Sequence, residues 1–364
     1  PGPGFNVLSG ENGQGKTNFL EAIYAVCTLR SFRTSRLADL IAIGQSEGKI
    51  SARLHTADLD RIYELELRER GRTARIDGTV MRPVSRYFGH FNVVLFAPED
   101  LAVVRGSPGD RRKFLDRAVF NWNSEYLVVS QSYDKILRSR NQLLRDVQRE
   151  KTSWSTAEPL LDVYDQQLAG AGAEIMLERW RFLEALRPKV ISGFDAIMSA
   201  GMPMGLHYQC KEPLSLALKA GKDDLGTGRP QVESVLLKLL QERRALDRAR
   251  ATTSIGPHRD DLEFTLAGQP AATFASQGQT RGMVLAWKTA LLALLRERRD
   301  EAPVLLLDDV SSELDPKRNE YLFAFLSTLS AQCFITTTHP DFVLIDEHRE
   351  RRDFKVHAGA IEPQ

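Results

Sequence analysis

Eight residues near the start of the chain, Gly10-Glu11-Asn12-Gly13-Gln14-Gly15-Lys16-Thr17, restrict the fold more than any other feature of the sequence. They satisfy the phosphate-loop spacing G-x-x-x-x-G-K-[ST]. In such a loop the glycines let backbone N–H groups turn inward around a β-phosphate. The lysine bridges the β- and γ-phosphates, and the hydroxyl after it holds Mg²⁺. The loop must lie between a strand and a helix whose positive N-terminus faces the same anion. Both neighbours are written into the chain. Phe5-Asn6-Val7-Leu8 is a short apolar run, and Phe19, Leu20, Ile23, Tyr24 and Cys27 recur on one side of a helix. An accidental glycine-rich turn would leave the Lys16-Thr17 pair and both flanking elements unexplained. ATP with Mg²⁺ is therefore the expected ligand of residues Gly10 to Thr17.

The text after the loop changes character twice. Tyr63, Leu65 and Leu67 alternate with Glu64 and Glu66, as in a half-buried antiparallel strand, and Arg70-Gly71 and Asp77-Gly78 read as hairpin turns. From about residue 110 to 250 the pattern is mostly helical, with Val235, Leu236, Leu239 and Leu240 forming an apolar stripe. Pro159, Pro188, Pro203, Pro213 and Pro230 punctuate this region, and the polar, Gly-rich segment Gly221 to Pro230 is expected as a mobile loop. Lys135 to Arg149 and Glu233 to Arg250 could pair as a short antiparallel helical arm, with too few heptads for an extended coiled coil. The end returns to α/β: a helix over Met283 to Arg298, an apolar strand over Val304 to Leu307, a helix over Tyr321 to Leu329 and a buried strand over Cys333 to Thr336.

Asp308-Asp309 closes the strand Val304 to Leu307. Carboxylates there lie at the carboxyl edge of a parallel sheet, beside the phosphate loop. Asp308 is expected to hold Mg²⁺, and Asp309 to orient or deprotonate the attacking water. Without the loop upstream, two acids after a strand would be an ordinary strand-end turn. Ser276-Gln277-Gly278-Gln279 precedes the helix of residues 283–298: Ser276 can donate to phosphate, and Gly278 permits close approach. A serine-capped helix start is the plain alternative, and the same holds for Ser312-Glu313-Leu314-Asp315. His339 follows the strand Cys333 to Thr336, where it could reach a γ-phosphate, although a lone histidine is more often structural.

Phosphate loop, S-x-G-Q, Asp-Asp strand, S-E-L-D and strand-His, in that order, are the series of an ABC-type ATPase. There the loop of one subunit faces the S-x-G-Q of another, so ATP acts as a dimerisation switch as well as fuel. The expected fold class is α/β: an ABC-type ATPase head from residues 1–108 and 252–364, with an inserted, mostly helical domain and short arm over 109–251. Formal net charge is +1, so attraction for polyanions must come from local patches. Arg111, Arg112, Lys113 and Arg117 form one basic cluster; Arg138, Arg140 and Arg145 a second; Arg243, Arg244, Arg248 and Arg250 a third. Each could neutralise DNA phosphates, and each could equally be a solvated helix face. Three scattered cysteines form no disulfide framework and suit a reducing cytoplasm. No apolar run is long enough to span a bilayer. The start, Pro1-Gly2-Pro3-Gly4, is no signal peptide, and the missing initiator Met leads one to expect further residues upstream.

GENGQGKTN at Gly10–Asn18, APEDL at Ala97–Leu101, GSPGDRRKFLDR at Gly106–Arg117, GPHRDDL at Gly256–Leu262, SQGQTR at Ser276–Arg281 and LLLDDVSSELD at Leu305–Asp315 together resemble the RecF family, bacterial recombination mediators related to SMC-type heads. The resemblance runs nearly the whole chain. It implies a weak, DNA-stimulated ATPase, neither nuclease nor helicase, that dimerises on ATP. It implies binding to gapped DNA and single-/double-strand junctions, cooperation with RecR and RecO in loading RecA, and a place in DNA replication, repair and the SOS response. It also implies that Ser276, Gly278 and Gln279 act in trans on the partner's ATP. Two departures stand out. The usual upstream strand with an Arg-Asn-Tyr-type segment, which often helps hold the adenine, is not in this sequence, so the adenine contacts stay open. Pro98-Glu99-Asp100 occupies the region where a glutamine usually senses the γ-phosphate. Two other readings compete with it: the ATPase subunit of a membrane transporter, opposed by the long helical insertion and the RecF-like blocks, and an SMC-like structural protein, opposed by the lack of long heptad arms.

Overall fold

The computed structural model of the protein describes all residues except 35, 56–59, 89–91, 199–200, 221–224, 299–301, 311–313, 330 and 346–347. The chain divides into two compact units: residues 1–102, 192–200 and 277–364 form the first, and residues 103–191 and 201–276 the second. The segment 252–276, assigned to the head from sequence, thus groups with the second unit, and 192–200 with the first.

The first unit is built on a six-stranded sheet in the order β13-β12-β1-β11-β10-β6. Its strands are β1 (Phe5–Ser9), β6 (Val93–Phe96), β10 (Val304–Asp308), β11 (Cys333–Thr337), β12 (Arg351–His357) and β13 (Ala360–Pro363). Every pairing is parallel except β12 with β13. Strands buried on both faces cannot alternate polar with apolar, which is why VLLLD and CFITT read as continuous apolar runs. β1 lies between β11 and β12, so the start of the chain is central in a sheet completed by its last residues.

The helix Lys16–Thr28 rises directly from β1. One side of it, Leu20 and Tyr24, packs with Leu8, Leu95, Leu306 and Phe334 on the large sheet. Its other side, Ala25, Val26 and Leu29, packs with Tyr63, Leu65, Leu67 and Ile76. Those residues belong to an antiparallel sheet of β2 (Glu47–His55), β3 (Asp60–Arg68), β4 (Gly71–Ile76) and β5 (Thr79–Val80). Leu20 and Leu29 expose no surface, and burying each contributes about 2 kcal/mol. The sequence pattern marked only the first of these two faces. The helix Gln277–Arg298 is buried at every residue from Gly282 to Leu292, as an all-round apolar helix must be.

In the second unit the helices Pro108–Trp122, Tyr126–Gln148, Leu225–Glu242 and Arg244–Arg250 join most of the long helix Trp154–Met198. This unit also carries a small antiparallel sheet of β7 (Met204–Gln209), β8 (Asp261–Leu266) and β9 (Gln269–Pro270). The β7–β8 pairing explains why 252–276 leaves the head: β8 is held to β7 by six residue pairs. Two expectations fail here. Pro159, Pro188 and Pro230 lie inside helices rather than between them. Of the segment expected as a loop, residues 225–230 are helical, while 221–224 lie outside the described residues. The two pieces expected to pair do meet, through Arg140 with Asp247 at 2.8 Å and Gln148 donating to the Ala249 carbonyl at 3.1 Å, but Arg140 is fully buried there, so they are packed into the unit rather than standing out as an arm.

Candidate functional site

The phosphate loop lies between β1 and the helix Lys16–Thr28, and its shape depends on glycine at defined points. Gly13 (φ 80°) and Gly15 (φ 101°) occupy the left-handed region, which side chains disfavour. At Gly10 a Cβ would meet the Val356 carbonyl oxygen at 2.5 Å, so the loop could not pass β12 with any other residue there. Glu11, Asn12 and Gly13 are exposed, and Gln14 is half-buried. The Gln14 side-chain oxygen accepts from Ala358 N at 2.7 Å, and its carbonyl accepts from Gly359 N at 2.9 Å. The tight turn between β12 and β13 therefore braces the loop from outside.

Lys16 is buried, and its ammonium donates to the carbonyls of Gly10 (2.7 Å) and Glu11 (2.9 Å). Burial lowers its pKa; Asp309 and then Asp308 oppose that shift, and Lys355 on β12 adds to it. One lysine thus stands among two carboxylates and a second cation, a mixed-sign arrangement in which cations can face a polyphosphate and carboxylates a divalent cation.

Asp308 and Asp309 end β10 where that strand reaches the loop. The Thr17 hydroxyl donates to Asp308 Oδ1 at 2.9 Å, and the Thr336 hydroxyl of β11 donates to the same oxygen at 2.8 Å. Asp309 turns into the left-handed region (φ 47°), and its N–H points at the Thr336 carbonyl and hydroxyl, both at 3.1 Å. This kink separates the directions of two consecutive carboxylates, so they can serve different partners. The donor set fits a hard cation: one carboxylate and one hydroxyl within hydrogen-bond distance leave the remaining positions to phosphate oxygens and water. Among the described residues no group of three or more His, Cys, Asp or Glu could hold a metal without such help.

The other expected residues are distributed as follows. Gly278 and Gln279 begin the helix Gln277–Arg298 in the first unit, while Ser276 is the last residue of the second unit and is exposed. A Cβ on Gly278 would lie 3.1 Å from the Arg318 guanidinium. Arg318 is itself paired with Asp315. Asp315 also caps the helix Pro316–Ser327, accepting from Arg318 N at 3.2 Å, so the plain capping role is present at that position. Ser312 and Glu313 lie outside the described residues. His339 is exposed just after β11, its ring 5.2 Å from that of Phe342, with its N–H on the Thr337 hydroxyl. Pro98-Glu99-Asp100 belongs to a short helix after β6; Glu99 faces solvent and Asp100 is buried.

The basic clusters are partly consumed by internal pairing. Arg111 makes a two-pronged pair with Asp261 (2.8 and 2.5 Å), and Arg112 donates to the Asp260 carbonyl. Arg140 is buried between Asp165 and Asp247, and Arg244 is paired with Asp162 and Asp165. Arg248 covers the Trp154 ring. The acids responsible lie far away in sequence, and inspection of the basic runs alone could not find them. Lys113, Arg138, Arg248 and Arg250 remain exposed.

Sequence reasoning missed Thr336, the brace at Ala358-Gly359 and the buried Asn6, whose amide donates to the Cys333 carbonyl and so ties β1 to β11. Only the brace left a trace, a small-residue dipeptide between two short runs.

The family model for the RecF/RecN/SMC N-terminal domain matches residues 1–351. The DNA replication and repair protein RecF of Geobacter sulfurreducens is 38% identical over 359 residues, 99% of this chain and 93% of its own length. That of Myxococcus xanthus is 37% identical over 355 residues, 98% and 90%. Among solved structures, the recombination mediator protein RecF with ATP, in the RecFOR pathway, superposes with a TM-score of 0.84 at 30% identity, covering 99% of this chain and 91% of that one. An Smc head bound to the C-winged helix domain of ScpA superposes at 0.53 and 15% identity, over 100% of this chain and 90% of that one, a likeness of fold alone.

Proposed function

The chain belongs to the RecF family, within the RecF/RecN/SMC N-terminal-domain family, and on that premise we propose that it is an ATP-dependent DNA-binding protein of recombinational repair. The observation that carries this reading is Asp308, which receives the hydroxyls of both Thr17 and Thr336 and so fastens the phosphate loop to two strand ends.

The chemistry assigned to the site follows from that arrangement. Backbone N–H groups of residues 10–17 and the Lys16 ammonium hold the β- and γ-phosphates of ATP. Thr17 and Asp308 would hold Mg²⁺, which would supply charge neutralisation at the phosphates. Asp309 orients the attacking water and takes its proton. Hydrolysis is weak and DNA-stimulated because a single head lacks part of its site. Ser276, Gly278 and Gln279 of a second copy complete it, and His339 contacts the γ-phosphate. ATP therefore pairs two heads, and slow hydrolysis releases them. The paired form is read as binding gapped DNA and single-/double-strand junctions, and as working with RecR and RecO so that RecA is loaded there. Lys113, Arg138 and Arg250 are the members of the basic clusters most open to DNA phosphates. Among the described residues no helix is long and apolar enough to cross a membrane.

Sedimentation with ADP, ATP and a non-hydrolysed analogue, each with and without gapped DNA, tests the proposal. Dimers with ATP and the analogue but not with ADP, favoured further by gapped DNA, are the expected result. A mass indifferent to the nucleotide would overturn it.

A further inference from the structure

The helix Gln277–Arg298, whose first turn holds Gly278 and Gln279, is buried at every residue from Gly282 to Leu292 yet carries a cation at its middle, Lys288, only 7% exposed. Its ammonium lies 2.8 Å from an Asp100 carboxylate oxygen, itself in a side chain 3% exposed, and donates to the Leu95 carbonyl at 2.5 Å. It also lies 5.7 Å from the centre of the Phe96 ring. All three contacts fall on one short stretch, the end of β6 and the helix Pro98–Leu101. The small cavity around the pair is closed by Val284 and Leu285 of the long helix and by Val310 and Leu314, which follow Asp309. Three segments thus converge on Lys288: the turn after β6, the stretch after the β10 aspartates, and the helix bearing the S-x-G-Q residues.

An ion pair is a poor choice if stability is the only requirement. Taking both charges from water offsets much of their attraction, and apolar side chains of similar volume hold such a position as well or better. What the pair adds is direction. Apolar packing tolerates small rotations and slides of a helix, whereas an ammonium fixed by both a carboxylate and a carbonyl does not. Ten residues separate Lys288 from Gly278, about 15 Å of helix at 1.5 Å per residue, and a rigid helix carries its register over that distance.

We propose that the Lys288–Asp100 pair is a positioning strut: it fixes the register of the S-x-G-Q helix against the segments that end β6 and β10, so ATP-dependent pairing of two copies depends on it although neither residue touches nucleotide. The inference rests on the composite-site reading above. It assigns a role to the buried acid of the APEDL stretch, where a γ-phosphate-sensing glutamine is expected from the resemblance. A nucleotide-driven shift of the β10 end is passed to the helix through the shared cavity wall, and the strut keeps the helix from absorbing it by sliding.

The test uses the full chain carrying Lys288→Met together with Asp100→Leu. The expected result is a melting temperature at or above that of the wild type, unchanged ATP affinity in the monomer, and ATP-dependent association weakened tenfold or more. A purely structural pair would move the first quantity and not selectively the third. Should the double variant not fold, Lys288→Met alone carries the same comparison, since it keeps the side chain's length and removes the donor; wild-type association in that variant overturns the strut. Wild-type pairing beside equally strong pairing in the folded double variant also overturns it. A wild-type chain that stays monomeric with ATP overturns the composite site first, and the strut with it.

Discussion

Replacing Asp309 with asparagine separates the chemical role of this residue from its backbone role. The residue sits at φ 47° with its N–H on the Thr336 carbonyl and hydroxyl. Asparagine is among the few residues that tolerate this conformation, so Asp309→Asn should keep the kink, the two contacts and the melting temperature. Alanine has no such tolerance, and forcing it into the left-handed region costs about 1–2 kcal/mol. Hydrolysis should respond in another way. Loss of a positioned base costs about 10²- to 10⁴-fold, a barrier increase of roughly 3–5 kcal/mol at about 1.4 kcal/mol per tenfold. ATP binding should persist, because Lys16 keeps the Asp308 carboxylate nearby and one negative charge facing the phosphates is gone. Phosphate release, nucleotide affinity, melting and sedimentation on the same samples are the assay. The expected pattern is slow turnover with trapped dimers for both variants, and a melting loss for Asp309→Ala alone. An Asp309→Asn chain that turns over at the wild-type rate would refute the assignment and move the base elsewhere.

Lys16→Ala should abolish tight ATP binding by removing charge-assisted contacts worth about 1.5–3 kcal/mol each; normal affinity by titration calorimetry would rule the loop assignment out. Ser276→Arg should leave monomer ATP binding intact and block ATP-dependent association, since a bulky side chain holds two close-packed surfaces apart. If the serine only caps its helix, the loss is about 1 kcal/mol of stability with no selective effect on association, and sedimentation separates the two. In the second unit, burial pushes His258 down to about 4 and Asp260 up to about 6. Between pH 6.5 and 4 the unfolded chain takes up a proton that folded His258 refuses, so stability falls by up to roughly 3 kcal/mol as pH falls. Over nearly the same window folded Asp260 takes up a proton that the unfolded chain refuses, a gain of about the same size. Asp260→Asn should therefore lose stability with acid more steeply than the wild type, and His258→Gln less steeply; melting curves from about pH 4.5 to 7 that are parallel for all three chains would contradict this offset.

What could be read from sequence was local or periodic. The loop between strand and helix, the apolar runs at Val304 to Leu307 and Cys333 to Thr336, and the alternation over Tyr63 to Leu67 each state their environment within a few residues. What could not be read depends on partners elsewhere. Arg140 looks like part of a solvated basic face until Asp165 and Asp247 are brought against it. Lys288 looks like an interruption of an apolar run until Asp100 is found beneath it. Proline misled for another reason: a long helix with a packed face can absorb the loss of a hydrogen bond at Pro159 or Pro188 that an isolated helix could not. The grouping of 252–276 was hidden because β8 finds its partner β7 across about fifty residues of helix and loop, and strand pairing at that distance leaves no periodic mark.

The same non-local character governs how the site is assembled. Thr17 and Asp308 are 291 positions apart, and Gln14 and Ala358 are 344 apart, yet each pair is joined by one hydrogen bond. A parallel sheet makes such pairs unavoidable: strands running the same way bring their carboxyl ends to one edge, and the crossovers between them can be of any length. Here the crossover between β6 and β10 contains an entire second unit. The cost of that arrangement is slow closure of long loops, and its benefit is that the loop is braced only when the last strands are in place. A chain with β1 and the helix Lys16–Thr28 but without β11 and β12 would have the phosphate-loop sequence without Thr336 behind Asp308 or the turn behind Gln14. Bracing of the phosphate loop thereby depends on completion of the fold, which a locally closed loop would not require.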